Sequence, residues 1–150
     1  MQMRSLRDSF INYCEINNFE KNVYQLKVLD LLINFIDPKF NFLNIFLKSK
    51  NKLCFYLFGG VGVGKTMILN FVFDFLYIPK QRLHFNEFMI NFHNYRHEMK
   101  NKDNSISAFV KDLKKYHIIY LDEFQVTNIV DAMILGKLFE TIFNEGIKII

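Results

Sequence analysis

A glycine-rich turn between two apolar segments constrains the fold of this chain more than any other feature of its sequence. Residues 53–58, LCFYLF, are short and continuously apolar, which is typical of a strand buried on both faces of a parallel sheet. Residues 59–66 read GGVGVGKT, and residues 67–77, MILNFVFDFLY, are apolar nearly all round, as in a buried helix. The order of strand, glycine turn and helix predicts one unit of an α/β fold.

The rest of the chain alternates helical patterns with short apolar runs. Helices are predicted over 21–36, 40–48, 87–99, 105–115 and 129–144, and further strands over 82–85, 117–121 and 147–150. Pro38 ends the first of these helices, because proline cannot continue a helix, and Gly146 is a candidate C′ residue of the last. The predicted class is therefore α/β, with a mainly parallel sheet flanked by helices. Residues 1–20 are mixed and polar and predict a loosely packed N-terminal arm, which leaves 21–150 as the domain.

Composition narrows the class of protein further. The formal net charge is +4, which is mild for an 18.0 kDa chain and does not argue for a nucleic-acid partner. Cys14 and Cys54 lie far apart without CxxC spacing, so neither a disulfide framework nor a zinc ribbon is predicted. No apolar run reaches the ~18 residues of a transmembrane helix, and the N-terminal MQMRSLRDSF lacks the apolar core of a secretory signal. A cytoplasmic protein without a membrane span is expected.

The glycine-rich turn fits the phosphate-binding pattern G-x-x-x-x-G-K-[ST], in the strand-to-helix context that the pattern requires. It comprises Gly59, Gly60, Val61, Gly62, Val63, Gly64, Lys65 and Thr66. Its glycines let the backbone turn tightly and aim N–H groups inward. Lys65 would reach the β- and γ-phosphates of a nucleoside triphosphate, and the Thr66 hydroxyl would ligate Mg²⁺. The sequence therefore predicts a P-loop for ATP and Mg²⁺.

Two acidic residues follow the predicted strand at 117–121, HIIYL. An apolar strand that ends in Asp122 and Glu123 fits the Walker B pattern. Because parallel strands deliver their carboxyl ends to one edge of a sheet, we expect these acids on the same rim as the P-loop. Asp122 would hold Mg²⁺, directly or through water, and Glu123 would act as general base on the attacking water. Glu123 and Lys65 are the catalytic candidates. The alternative for Asp122 and Glu123 is a solvated turn that carries two acids.

The sequence around these motifs resembles the ZapE family, also called AFG-like (ATPase family gene-like) ATPases. Matching blocks are LDEFQVTNIVDAMILGKLFETIF at 121–143, RLHFNEFMINFH at 82–93, and FGGVGVGKT. The segment NVYQLKVLDLL looks like the N-terminal block of the family, with Asn22 and Val28 as departures. The resemblance runs from about residue 20 to the end. Asn128 stands where the family usually has Asp, and neither motif loses a group assigned to phosphate or metal.

The resemblance implies an AAA+-type ATPase that couples hydrolysis of Mg-ATP to action on a protein partner. That partner would belong to the cell-division or protein quality-control machinery, the ATPase would form a homo-oligomer, and Gln25 would lie near the adenine. AAA+ sheets have the strand order 5-1-4-3-2. In that order the chain supplies strands 1 to 3 and ends in strand 4, before the sensor, arginine finger and lid. The expectation is an N-terminal piece of a longer ATPase, with weak or no turnover by itself.

Three other functions remain open at the level of sequence. A non-catalytic nucleotide-binding remnant, or one half of a split ATPase, would share every binding residue. A GTPase would need an N-K-x-D motif, and the two Asn-Lys pairs, NKLC and NKDN, do not place Asp correctly. A helicase-loader-like DNA partner would share the AAA+ core, and a test of single-stranded DNA binding would separate it.

Further polar residues have weaker assignments. His93 and His97 have the i, i+4 spacing that can hold zinc, but HExxH is absent and no third ligand is evident. His84 and Glu87 lie near a strand end and are given a structural or site role. Lys111 belongs to a polar helix face with Lys114 and Lys115, for which a solvated face is the expectation.

Overall fold

The computed structural model describes residues 4–20, 22–37, 52–99 and 103–150. Within those ranges the helices are α1 (Arg4–Ile16), α2 (Val23–Ile36), α3 (Lys65–Phe75), α4 (Phe85–Glu98), α5 (Ser105–Leu113) and α6 (Ile129–Asn144), and the strands are β1 (Lys80–His84), β2 (Ile118–Asp122) and β3 (Lys148–Ile149). The helix predicted over 40–48 lies outside the described residues. The chain divides into two compact units, Met1–Tyr77 and Ile78–Ile150. Among the described helices, none has the length and apolar character needed to cross a membrane.

The first unit begins with a packed helix where the sequence predicts a loose arm. Leu6, Phe10 and Cys14 lie at i, i+4 and i+8, so they share one face of α1, and all three are buried. The Phe10 ring meets the Phe71 ring of α3 edge-on, with 5.1 Å between centroids. The prediction therefore differs from the structure over Arg4–Ile16, because the apolar residues form a narrow stripe in a segment whose average composition is polar.

Helix α2 ends where the sequence predicts and begins two residues later than predicted. Asn22 caps it, since its side-chain oxygen accepts a 2.8 Å hydrogen bond from the backbone N–H of Tyr24. Asp37 is its C-cap residue. The helix buries Leu29, Leu32, Ile33 and Phe35. Helix α2 contacts α1 and α3, which belong to the same unit.

Residues 53–58 do not form the doubly buried strand that the sequence predicts. Only Cys54 is a bridge residue, and exposure alternates along the segment, with Tyr56 66% and Phe58 79% exposed. A continuously apolar segment predicts a strand that is covered on both faces. Whether other elements cover those faces depends on the tertiary structure, which the local composition does not specify. Helix α3 is confirmed, although only Ile68 and Val72 of its apolar residues are fully buried.

The second unit contains a parallel three-stranded sheet in the order β1-β2-β3. This agrees with the neighbours that the AAA+ strand order predicts for the three segments, and the α/β class is confirmed for this unit. Strand β2 is central and is buried from Ile118 to Leu121. In the β1–β2 register, Arg82 lies opposite Tyr120 and His84 lies opposite Asp122.

Helices α4, α5 and α6 supply the core beside this sheet. The predicted apolar face of α5 is confirmed: Phe109, Val110 and Leu113 are buried, and Ile106 packs against the core. Phe109 makes edge-to-face contacts with aromatic rings of α4, among them Phe92, with 5.3 Å between the ring centroids.

The two ends of α6 show why its predicted bounds are correct. The side chain of Asn128 accepts a 2.8 Å hydrogen bond from the backbone N–H of Val130, which satisfies a donor of the first turn. At the other end Gly146 adopts a φ of 75°, the left-handed conformation that commonly follows a helix. The chain then turns into β3.

We expect two alanine substitutions near α6 to have opposite effects on stability. Gly146→Ala should lower the free energy of unfolding by ~1–2 kcal/mol, because a β-carbon disfavours the left-handed region. Gly136→Ala, within α6, should raise it by ~0.5–1 kcal/mol. An added β-carbon meets no atom within 4 Å at either position, so the pair compares backbone preference alone. Urea unfolding measures both, and a stabilising Gly146→Ala would contradict the assigned cap.

Candidate functional site

The predicted P-loop lies in the first unit and leads directly into α3. Gly62 and Gly64 have φ values of 80° and 83°, which residues with a β-carbon rarely adopt. Gly64 is also the N-cap of α3, so the loop ends where the partial positive charge of the helix begins. This is the backbone arrangement that binds phosphate at a helix N-terminus.

The amino group of Lys65 lies against the loop itself. Its Nζ donates hydrogen bonds to the carbonyl oxygens of Gly59, at 2.9 Å, and Gly60, at 2.6 Å. A lysine ammonium has three donors, and these two bonds hold its charge at the beginning of the loop. Thr66, the predicted metal ligand, is the next residue in the first turn of α3 and is exposed.

Gln25 of α2 contacts the same loop. Its Nε2 donates a 3.2 Å hydrogen bond to the carbonyl oxygen of Val63, and a β-carbon on Gly64 would lie 2.5 Å from that nitrogen. Its Oε1 is buried and has no hydrogen-bond partner among the described residues. A buried acceptor without a donor carries a free-energy cost.

The predicted acidic pair lies in the second unit, at the carboxyl end of β2. Arg82 Nη2 lies 2.6 Å from Asp122 Oδ2, while Oδ1 accepts longer hydrogen bonds from the hydroxyl of Tyr120, at 3.3 Å, and the backbone N–H of Glu123, at 3.2 Å. The guanidinium carbon of Arg82 also lies 4.8 Å from the centroid of the Tyr120 ring. Asp122 is therefore held from several directions.

These contacts shift two pKa values. Burial raises the pKa of Asp122, but hydrogen bonds and charge from Arg82, with smaller contributions from Tyr120 and the Glu123 amide, outweigh it, so the net pKa is below the ordinary value. Burial, followed by the charge of Asp122, raises the pKa of Tyr120 to about 12. Tyr120 therefore remains a hydroxyl donor at neutral pH, and Asp122 remains an anion.

Glu123, the predicted general base, has a φ of 53°. A non-glycine residue in the left-handed region costs ~1–3 kcal/mol, and such residues concentrate at functional sites. Its carboxylate is largely exposed, and Oε2 lies 3.8 Å from Nδ1 of His84. His84 therefore lies beside Glu123 at this edge of the sheet, and its structural or site role stays a prediction.

Arg82 and Tyr120 contact Asp122 of the acidic pair, although no sequence motif indicates them. Their signal is the alternation of side chains in a strand: residues two apart face the same way. Tyr120 precedes Asp122 by two positions, and Arg82 lies opposite Tyr120 in the register. The register was needed to find them, because β1 and β2 are separated in sequence by two helices.

Two of the remaining polar candidates, His93 and Lys114, have partners in the structure. His93 Nε2 lies 2.6 Å from Asp131 Oδ1, an interaction between α4 and the first turn of α6 rather than a zinc site with His97. In the part of the chain that is described, no group of three or more His, Cys, Asp or Glu residues could hold a metal ion. Lys114 pairs with Glu145 at 2.5 Å. The predicted partnership of Thr66 with Asp122 involves both units and stays a prediction.

Comparison with known sequences shows which family these motifs belong to. The sequence profile of the AFG1-like ATPase family matches residues 21–150. The chain belongs to this family. It is 34% identical over 109 residues to lactation elevated protein 1 homolog B of Danio rerio, covering 64% of this chain and 22% of that protein. It is also 34% identical over 99 residues to cell division protein ZapE of Escherichia coli K12, covering 63% and 26%.

The AFG1-like ATPase chain described here spans about a quarter of the length of these curated relatives. No solved structure is significantly similar to it. The family assignment confirms the resemblance to the ZapE and AFG-like ATPases that the DEFQVT-containing block and the P-loop predict.

We expect Gly64→Ala to destabilise the AFG1-like ATPase chain more than Gly62→Ala. Both residues have left-handed φ values, but only at Gly64 would the new β-carbon displace Gln25. Gln25 would then lose its hydrogen bond to Val63, a net cost of ~1 kcal/mol. Urea unfolding measures the difference. In a Gln25→Ala background the two substitutions should cost the same, and a difference that persists there would contradict the proposed contact.

Asp122→Asn is expected to change the stability of the chain in acid. A carboxyl group with a lowered folded pKa adds stability that is fully present above its unfolded pKa, about 3.9, and that is lost as pH falls through the folded pKa. As the pH falls below about 5, the free energy of unfolding of the wild-type chain should therefore decrease more than that of Asp122→Asn. Urea unfolding at stepped pH measures this, with Asp74→Asn, an exposed carboxylate of α3, as control. Parallel curves for wild type and Asp122→Asn would contradict the assignment.

Proposed function

We propose that this AFG1-like ATPase chain binds ATP with Mg²⁺ and that the family protein couples its hydrolysis to action on a protein partner. The observation that carries the proposal is the complete P-loop with its two contacts, Lys65 at the start of the loop and Gln25 beside its end. The domain is taken as 21–150, with 1–20 as an additional segment.

Phosphate recognition rests on backbone and charge together. The N–H groups at the start of α3 and the positive helix end attract an anion. Lys65 would exchange a carbonyl partner for a phosphate oxygen, which is a stronger, charge-assisted hydrogen bond. Glycines at 59, 60, 62 and 64, with Val61 and Val63 between them, keep side chains from obstructing that approach.

Adenine recognition is assigned to Gln25. Its Oε1 is a buried acceptor without a partner among the described residues, and the 6-amino group of adenine is a donor. The corresponding atom of guanine is a carbonyl oxygen, which would leave two acceptors facing each other. This favours ATP over GTP, in agreement with the missing N-K-x-D motif.

The acids are assigned to metal and water. A threonine hydroxyl and a carboxylate are oxygen donors of the kind that Mg²⁺ prefers, and the lowered pKa of Asp122 keeps that carboxylate ionised. We assign Thr66 and Asp122 to Mg²⁺, which when bound neutralises charge on the phosphates. Glu123 would accept the proton of the attacking water, and its exposure leaves its carboxylate accessible to water.

The whole-protein role is proposed from the relatives. The Escherichia coli relative is named a cell division protein, and we extend that association to this chain, together with a cytoplasmic location and assembly into a homo-oligomer. Nucleic acid is not proposed as a partner. Salt-dependent binding of single-stranded DNA would contradict this part of the proposal.

Two substitutions test nucleotide binding and chemistry separately. Lys65→Ala should weaken binding of a fluorescent ATP analogue by ~10–100-fold, since a charged hydrogen bond contributes ~1.5–3 kcal/mol. Glu123→Gln should leave that binding within about twofold and abolish any phosphate release. Lys114→Ala removes a lysine charge elsewhere and is the control.

The outcomes separate the competing functions. Unchanged ATP binding in Lys65→Ala would overturn the proposal. ATP binding without phosphate release in the wild-type chain would instead support the alternative of a non-catalytic nucleotide-binding remnant or one half of a split ATPase. Competition by GTP as effective as that by ATP would contradict the role given to Gln25.

A further inference from the structure

Four side chains lie on one face of the sheet in the second unit, at the carboxyl edge of β1 and β2. In the parallel register Arg82 is opposite Tyr120 and His84 is opposite Asp122. Because side chains two positions apart in a strand face the same way, all four share that face. The register therefore places a permanent cation beside the carboxylate that the Walker B pattern assigns to Mg²⁺.

We propose that Arg82 is an internal counter-cation of Asp122, which balances the charge of this carboxylate and competes with the divalent cation for it. The proposal rests on the assignment of Asp122 to Mg²⁺ under the proposed function. It adds a regulatory contact to that site, because the affinity for the metal ion depends on the free energy needed to break the Arg82–Asp122 ion pair.

The distances show how fully Asp122 is occupied. Its Oδ2 lies 2.6 Å from Arg82 Nη2, and its Oδ1 accepts from the Tyr120 hydroxyl and the Glu123 amide. A carboxylate has about four acceptor directions, and three of them are taken by these donors. The short contact is the charged one, so a metal ion that binds Oδ2 of Asp122 must displace Arg82, and one that binds Oδ1 lies beside the guanidinium charge.

Arg82 is itself held in place. Its guanidinium lies over the Tyr120 ring, 4.8 Å from the centroid, a cation–π contact that adds to the ion pair. The side chains of Arg82 and Asp122 are 34% and 20% exposed, so water screens the pair less than it screens a fully exposed one. Releasing Asp122 to a metal ion therefore has a free-energy cost, and removing the guanidinium charge should remove that cost.

The test measures metal dependence without relying on turnover. The 150-residue chain is titrated with Mn²⁺ at a fixed concentration of a fluorescent non-hydrolysable ATP analogue, and the Mn²⁺ midpoint of analogue binding is recorded. Arg82→Gln should lower the midpoint about fivefold, equivalent to ~1 kcal/mol. Arg82→Met removes the same charge while keeping an apolar stem over Tyr120, so it should give the same shift. Arg82→Lys retains the charge and should stay within about twofold of wild type.

A matched control exists in the other unit. Arg7 pairs with Asp30 at 2.5 Å, with both side chains partly exposed. Arg7→Gln changes the net charge by the same amount and also breaks an Arg–Asp pair, but it should leave the midpoint unchanged. A shift of equal size in Arg7→Gln would overturn the inference, because it would reflect net charge alone.

The remaining outcomes are decisive. An unchanged or raised midpoint in Arg82→Gln and Arg82→Met overturns the counter-cation role, and a raised midpoint would instead make Arg82 a residue that positions Asp122 for metal. Far-UV circular dichroism establishes that each variant is folded before titration. If the wild-type chain shows no Mn²⁺-dependent binding of the analogue, the proposed function fails; if it does, and only the Arg82 variants deviate from expectation, the inference alone fails.

Discussion

The parallel pairing of β1 with β2 is the constraint on which the second unit depends. It buries β2 between two strands and sets the register that brings Arg82 and His84 to the end of the strand carrying Asp122. A shift of one residue would move these side chains to the opposite face. The buried core beside this sheet includes Ile119 and Leu121 of β2, which a shift of that kind would turn away from it.

In each unit, the candidate side chains interact with partners from the same unit. In the first unit, Lys65 donates hydrogen bonds to two carbonyl oxygens of the loop, and Gln25 donates one to a third. In the second unit, Asp122 forms an ion pair with Arg82. Each contact satisfies a polar group that is partly removed from water. Under the proposed function, a phosphate would replace a carbonyl partner of Lys65, and a cation would compete with Arg82 for Asp122. Binding at such a site is an exchange of partners, so its affinity depends on the contacts that are given up.

Much of the fold could be predicted from sequence because local signals agreed. The cap at Asn128 and the left-handed Gly146 define α6, and the i, i+3, i+4, i+7 spacing defines the buried face of α5. Two predictions failed where the local pattern was ambiguous. The apolar stripe of α1 was not recognised because the other residues of the segment are polar. The apolar run at 53–58 was predicted to be buried on both faces, although exposure alternates along it.

The sequence by itself determined the family to which this chain belongs. The P-loop and the DEFQVT-containing block identify an AFG1-like ATPase, because phosphate binding needs particular residue types at fixed local spacing. Only the tertiary structure decided which other side chains surround them. Gln25 and Gly64 are 39 positions apart, and Arg82 and Asp122 are 40 apart. Contacts over such separations depend on helix packing and strand register, and no local pattern encodes either.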